Sequence, residues 1–264
     1  MKVLKLGQML GGSNAPSGAG YENLYSLDFD GVDDYVSFGD KDIFTPNDSG
    51  ANRGMSFSFW YKSSDVLQQR LINKNGMFYS GGYHYEYLVT TQYAGKPRIV
   101  FYGADNPSIS IKLILDTVLS VDTWYHIAFT WNLGSTNADL IGYINGVKHS
   151  VSDGNATFTL AGTWSAVLNT NNELYMGRDI SNYGEGLIDE VAIFDDNLST
   201  VDVASIYNSG SPTDLSGESY LLGYWRNGDT AGTSVYPTIE DYSSNSNDGT
   251  MTNMASGDIV TDVP

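Results

Sequence analysis

Short runs in which every second residue is aromatic or aliphatic recur along the chain, separated by clusters of Gly, Asn and Asp. A period of two sends alternate side chains to opposite faces of a strand, a pattern that a helix cannot bury. From Met55 to Tyr61 the shared phase holds Phe57, Phe59 and Tyr61, and from Trp124 to Trp131 it holds Tyr125, Ile127, Phe129 and Trp131. Tyr83, Tyr85 and Tyr87 alternate with His84, Glu86 and Leu88. Ile141 to Ile144 runs into Asn145-Gly146 before Val147, a dipeptide that supplies positive φ at both centres of a tight hairpin. Leu187–Phe194 and Tyr220–Trp225 read as further strands. One helix interrupts them: Ser199 caps Val201–Asn208, Asp202 holds the capping-box position, Gly210 is the stop, and Val203, Ile206 and Tyr207 form a small apolar face.

At 264 residues the chain can be one all-β domain with a sizeable core. Asp and Glu number 31 against 13 Lys and Arg, a formal charge of -18. Such a surface repels nucleic-acid phosphates and anionic membranes, while its carboxylates suit hard cations such as calcium. Cysteine is absent, which excludes disulfides, thiolate metal sites and cysteine nucleophiles. No apolar run approaches the ~20 residues of a transmembrane helix.

Residues 1–20 read as a separate arm and linker. Lys2, Val3 and Lys5 begin a partly apolar stretch ending at Leu10, and Gly11 to Gly20 has a flexible linker composition. Lys5, Gly7 and Gln8 interrupt the stretch too often for a secretion signal, so the arm is expected to attach to a partner. Residues 21–264 form the sandwich, with 219–264 a C-terminal extension that completes or flanks it.

Four phrases, in this order, resemble the laminin G-like, concanavalin A-like jelly-roll family: Leu27-Asp28-Phe29-Asp30-Gly31-Val32-Asp33-Asp34-Tyr35-Val36; Thr123 to Ala128; Tyr143-Ile144-Asn145-Gly146-Val147; and Gly186-Leu187-Ile188-Asp189-Glu190-Val191-Ala192-Ile193-Phe194. The resemblance implies a jelly-roll β-sandwich of two antiparallel sheets. It also implies a structural calcium ion between the Asp-Gly turn and the Ile-Asp-Glu-Val strand. Asp30 and Gly31 would offer main-chain oxygens and Asp189 a side chain, with Asp33 a further candidate. Calcium takes 6–8 oxygen ligands, so a turn that aims carbonyls beside carboxylates suits it. The alternative is that Asp30, Gly31 and Asp33 are simply turn residues.

Glycosidases on this fold need three acids in one phase of a strand. Glu185, Asp189 and Glu190 do not supply them, since Asp189 and Glu190 are adjacent, and a non-enzymatic role is expected. His126 sits between Tyr125 and Ile127 and reads as structural; His84 and His149 lack zinc spacing. Sugars stack on exposed aromatic rings, and Trp164, Tyr83 and Tyr85 are candidate platforms, Trp164 because Gly162, Thr163 and Ser165 surround it. Cross-strand packing is the competing account of each.

The segment from Gly249 to Met254 and on to Val260 is similar to the ending of laminin G-like proteins of tailed phages. The expectation is a virion structural or surface protein that attaches to other virion proteins through its arm and binds host-cell glycans. A secreted or cell-surface bacterial carbohydrate-binding module is the alternative.

Overall fold

The computed structural model describes residues 21–46, 54–77, 83–92, 94–103, 108–180, 182–228 and 236–264, so Lys2, Val3 and Lys5 lie outside the described residues. Among those described, alternation resolves into two antiparallel sheets. The eight-stranded sheet runs β10 (Val147–His149), β9 (Leu140–Ile144), β8 (Trp124–Trp131), β3 (Met55–Lys62), β13 (Glu185–Phe194), β1 (Ser26–Asp30) and β17 (Ile259–Val260), with β14 (Leu221–Trp225) paired to β13. The nine-stranded sheet runs β11 (Ala156–Ala161), β7 (Ser110–Leu115), β6 (Lys96–Tyr102), β5 (Tyr83–Gln92), β4 (Arg70–Met77), β12 (Leu174–Met176), β2 (Tyr35–Ser37), β16 (Gly249–Thr252) and β15 (Thr238–Ile239).

The inward phases of both sheets meet in one apolar core. Phe57, Phe59 and Tyr61 from β3 and Ile127, Phe129 and Trp131 from β8 face Tyr87, Val89, Ile99 and Phe101. Phe101 stacks on Trp131 with ring centres 4.1 Å apart. The Asn145-Gly146 hairpin has both residues at positive φ, 50° and 71°, joining β9 to β10.

Helix α1 (Thr200–Tyr207) has the expected capping box, the Ser199 side chain accepting from Asp202 N–H. Its end differs from expectation: Asn208 takes the left-handed conformation, its N–H donating to the Ala204 carbonyl, before Gly210 is reached. Val203 and Ile206 pack with Ala128, Tyr143, Ala192, Phe194 and Tyr224, so the helix covers the outer face of the eight-stranded sheet.

The C-terminal segment adds strands to both sheets. β14 lies against Val191–Phe194, while β1 takes Glu185–Ile188. β16 lies against β2, opposite Tyr35, Val36 and Ser37. A β-bulge between Asp189 and Ala192, with Glu190 at φ +49°, marks the place where β13 changes partners.

Deep in the nine-stranded sheet a second irregularity turns Glu86 toward Lys74. The register skips from Lys74↔Tyr87 to Asn75↔Tyr85, leaving Glu86 as the extra residue. Lys74 Nζ and Glu86 Oε1 are 2.9 Å apart, both side chains fully buried. Thr45 and Thr170 hydroxyls donate to the same carboxylate, and the Asn172 carbonyl accepts from Lys74, so the ion pair ties two loops to the sheet.

Candidate functional site: the outer face of the nine-stranded sheet

The turn after β1 is built by its own carboxylates. Asp30 Oδ1 accepts the N–H groups of Val32 and Asp33, and Asp34 Oδ2 accepts the N–H of Asp30. Gly31 at φ +74° closes the turn, and a Cβ there would stand 3.1 Å from the Cβ of Glu185. Asp30, Asp33 and Asp34 each bring an oxygen within 4.8 Å of the others. Burial pushes the Asp34 carboxyl up to about 6, partly offset by its bond from the Asp30 backbone.

The register corrects the expected ligand set. Asp30 pairs with Glu185, and Leu27 pairs with Ile188, which puts Asp189 beyond β1's Leu27 and about four residues, or ~13 Å, along the ladder from Asp30. Asp189 is fully buried and accepts from Asn23 Nδ2 and the Glu190 N–H, a clamp on the incoming chain. The acid that β13 brings to the turn is Glu185. The three turn carboxylates fit a hard cation by donor type, since Asp30 Oδ2, Asp34 Oδ1 and Asp33 are left over from the turn's own hydrogen bonds.

Beside this turn opens a cavity of about 480 Å³ lined by Gly31, Val32, Leu67, Gln68, Arg70, Asn182 and Tyr183. Val32 and Leu67 are 70% and 56% exposed, giving the mouth an apolar rim. Arg70 is fixed in the wall: its Nε contacts Asp179 Oδ2 at 2.5 Å and its Nη1 donates to the Gln68 carbonyl. Asp179 also accepts from Asn182. Gly184 permits this closeness, for a Cβ there would meet the Arg70 carbonyl at 2.2 Å. Next to the cavity the Arg178 guanidinium lies 4.4 Å from the ring centre of Tyr35, 4.7 Å from Tyr175 and 5.7 Å from Tyr183. A rim of tyrosine rings around a cation, beside a polar-walled groove, can stack a sugar face and bond its hydroxyls.

From there the outer face of the nine-stranded sheet extends across β4, β5, β6 and β7. Arg70, Thr90, Arg98 and Ile114 form one cross-strand row, and Leu88, Val100 and Lys112 the next. The Tyr85 and Tyr102 rings lie 4.8 Å apart between centres, tilted by 31°. Among the described residues no helix covers this face, unlike that of its partner sheet.

The expected platforms fall differently. Tyr85 belongs to this face but is half-buried against Tyr102. Tyr83 holds a backbone position opposite Met77, its side chain outside what is described. Trp164 is in a loop, as its neighbours suggested, but packs edge-on against Trp131 at 5.8 Å and is partly buried. Glu190 and Asp189 do not converge: Glu190 accepts from the Tyr224 hydroxyl instead. His126 is buried, bonded to Ser58 at 2.8 Å, and burial lowers its pKa to about 3. Sequence reasoning missed Arg70, Arg178 and Tyr183. The available signal was the presence of Arg178 and Tyr183 in a Gly-rich stretch just before the Ile-Asp-Glu-Val strand.

Residues 30–204 match the concanavalin A-like lectin/glucanases superfamily in its laminin G form. The chain belongs to this family. No curated protein sequence matches it. Among solved structures, a Bacteroides ovatus protein assigned to carbohydrate binding aligns at TM-score 0.56 and 14% identity, over 91% of this chain and 60% of that one. A heptameric SAP-like pentraxin of Limulus polyphemus aligns at TM-score 0.47 and 11% identity, over 70% of this chain and 82% of that one. The CBM40 domain of a Ruminococcus gnavus sialidase, bound to sialyllactose, aligns at TM-score 0.47 and 11% identity, over 69% and 97%. At these identities the likeness is one of fold.

Proposed function

We propose that the chain is a non-catalytic carbohydrate-binding module whose ligand lies on the outer face of the nine-stranded sheet, beside the Gly31 turn. The observation that carries this reading is the groove between Val32, Arg70 and Tyr183, where an apolar rim, a fixed guanidinium and a tyrosine cluster converge. The fold of the Bacteroides ovatus protein agrees with it. Calcium, held by Asp30, Asp33 and Asp34, would stiffen the turn that forms one lip of that groove. A glycan array probed with the full chain tests the reading: binding that falls on Tyr183→Ala supports it, and a blank array defeats it.

In the finer version the module is displayed on a virion, anchored through Lys2, Val3 and Lys5, and reads host glycans. The phage-like phrase from Gly249 to Met254 favours this over a secreted bacterial module. Mass spectrometry of purified particles that lacks the protein would decide for the bacterial alternative.

A further inference from the structure

Building on the carbohydrate-binding reading, we infer that the ligand is an acidic glycan, with a carboxylate on its pyranose ring held by Arg98 and Lys112 at the centre of the nine-stranded sheet's outer face. The chain has five arginines and a net charge of -18, yet Arg70, Arg98 and Arg178 all gather on this one face. Their surroundings differ. Arg70 is paired with Asp179, and Arg178 lies on tyrosine rings. Arg98 makes one hydrogen bond, from Nε to the Thr90 hydroxyl at 3.0 Å, and neither it nor Lys112 forms an ion pair among the described residues.

The two cations are neighbours. Arg98 pairs with Ile114 and Val100 with Lys112, so Lys112 is the diagonal neighbour of Arg98, about 7–8 Å away between backbones. Arg70 stands on the other side of Thr90, two strand spacings or ~10 Å from Arg98. The floor between them is dry: Leu88 is 7% and Val100 4% exposed. Burial lowers the Arg98 pKa, so its charge is partly desolvated; its hydrogen bond goes to the neutral Thr90 hydroxyl, and Tyr102 and Asp179 only partly offset the burial. In a chain with 31 acidic residues, a half-buried guanidinium with no ion pair of its own among the described residues, the nearby Asp179 being bonded to Arg70, suits a carboxylate from outside. A planar fork with free N–H groups binds such a group in two parallel bonds. The Tyr85–Tyr102 pair on the same face supplies a stacking surface for the ring.

Calorimetric titration of the full chain with sialyllactose and with trigalacturonate, against lactose and galactotriose, tests this and separates a sialate from a uronate. The expected result is at least tenfold tighter binding of one acidic probe than of its neutral counterpart. Arg98→Ala should erase the preference, Arg98→Lys should retain part of it, and Lys112→Gln should weaken it while leaving the melting temperature unchanged. Equal binding of acidic and neutral sugars, or a preference that survives Arg98→Ala, overturns the acidic-ligand inference and leaves the carbohydrate reading standing. Failure of every probe, together with a blank array, overturns both.

Discussion

Asp30 and Glu185 face each other across the β1–β13 ladder, and Glu185 Oε2 lies 3.4 Å from the point where a Cβ on Gly31 would sit. The turn is thus formed against a side chain from the neighbouring strand as well as by its own hydrogen bonds. Gly31→Ala is expected to lower unfolding free energy by about 1–2 kcal/mol through its left-handed φ, with a further loss from the contact. In urea titrations the added Glu185→Ala change should relieve the 3.4 Å contacts with Cγ and Oε2 and leave both the 3.1 Å contact with the Cβ of residue 185 and the backbone part.

The same geometry predicts which acids answer to calcium. An ion bound only by the native state raises stability, by ~2.7 kcal/mol at a hundredfold excess over Kd. The melting temperature should fall on chelation, and Asp33→Ala should remove that difference. Asp189→Ala should lower stability but keep the calcium response, because its carboxylate bonds Asn23 and stands away from the turn.

Lys74 and Glu86 have no water to fall back on. Lys74→Met strands a buried carboxylate, and a loss of about 3–5 kcal/mol is expected. Replacing both, as Lys74→Met with Glu86→Leu, should cost less than the single change. A double change as costly as the sum of the two singles would show that the pair does not act as a unit.

His126 predicts a pH dependence. It is neutral in the fold, with a pKa near 3 against 6.5 when exposed. Below 6.5 the unfolded chain binds a proton that the native state refuses. Its contribution is therefore complete above 6.5 and is lost as pH falls toward about 3, at up to ~1.4 kcal/mol per pH unit. His126→Gln should flatten the stability curve in that window only, as read by denaturant titration at each pH.

Much of the fold was legible because burial writes itself into alternation: β3, β8 and the Asn145-Gly146 hairpin stand where period and turn chemistry put them. β16 was not, for Gly249-Thr250-Met251-Thr252 has one strongly apolar residue and becomes a strand through its partner β2. The site was legible at its lip, the Asp30–Asp34 turn, and at Tyr85 on the sheet face. Arg70 and Arg98 are far apart in sequence and meet on one face through a register that includes a bulge after Arg70. Asp189 was misplaced for the same reason, since a motif names a strand but not which of its residues stands opposite the turn.

The most direct measurement is a crystal structure of the full chain with the glycan that binds it most tightly. The sugar is predicted on the outer face of the nine-stranded sheet, touching Tyr183 and Arg70 in the groove beside Gly31. A sugar bound at Trp164, or on the side that α1 covers, would contradict the account.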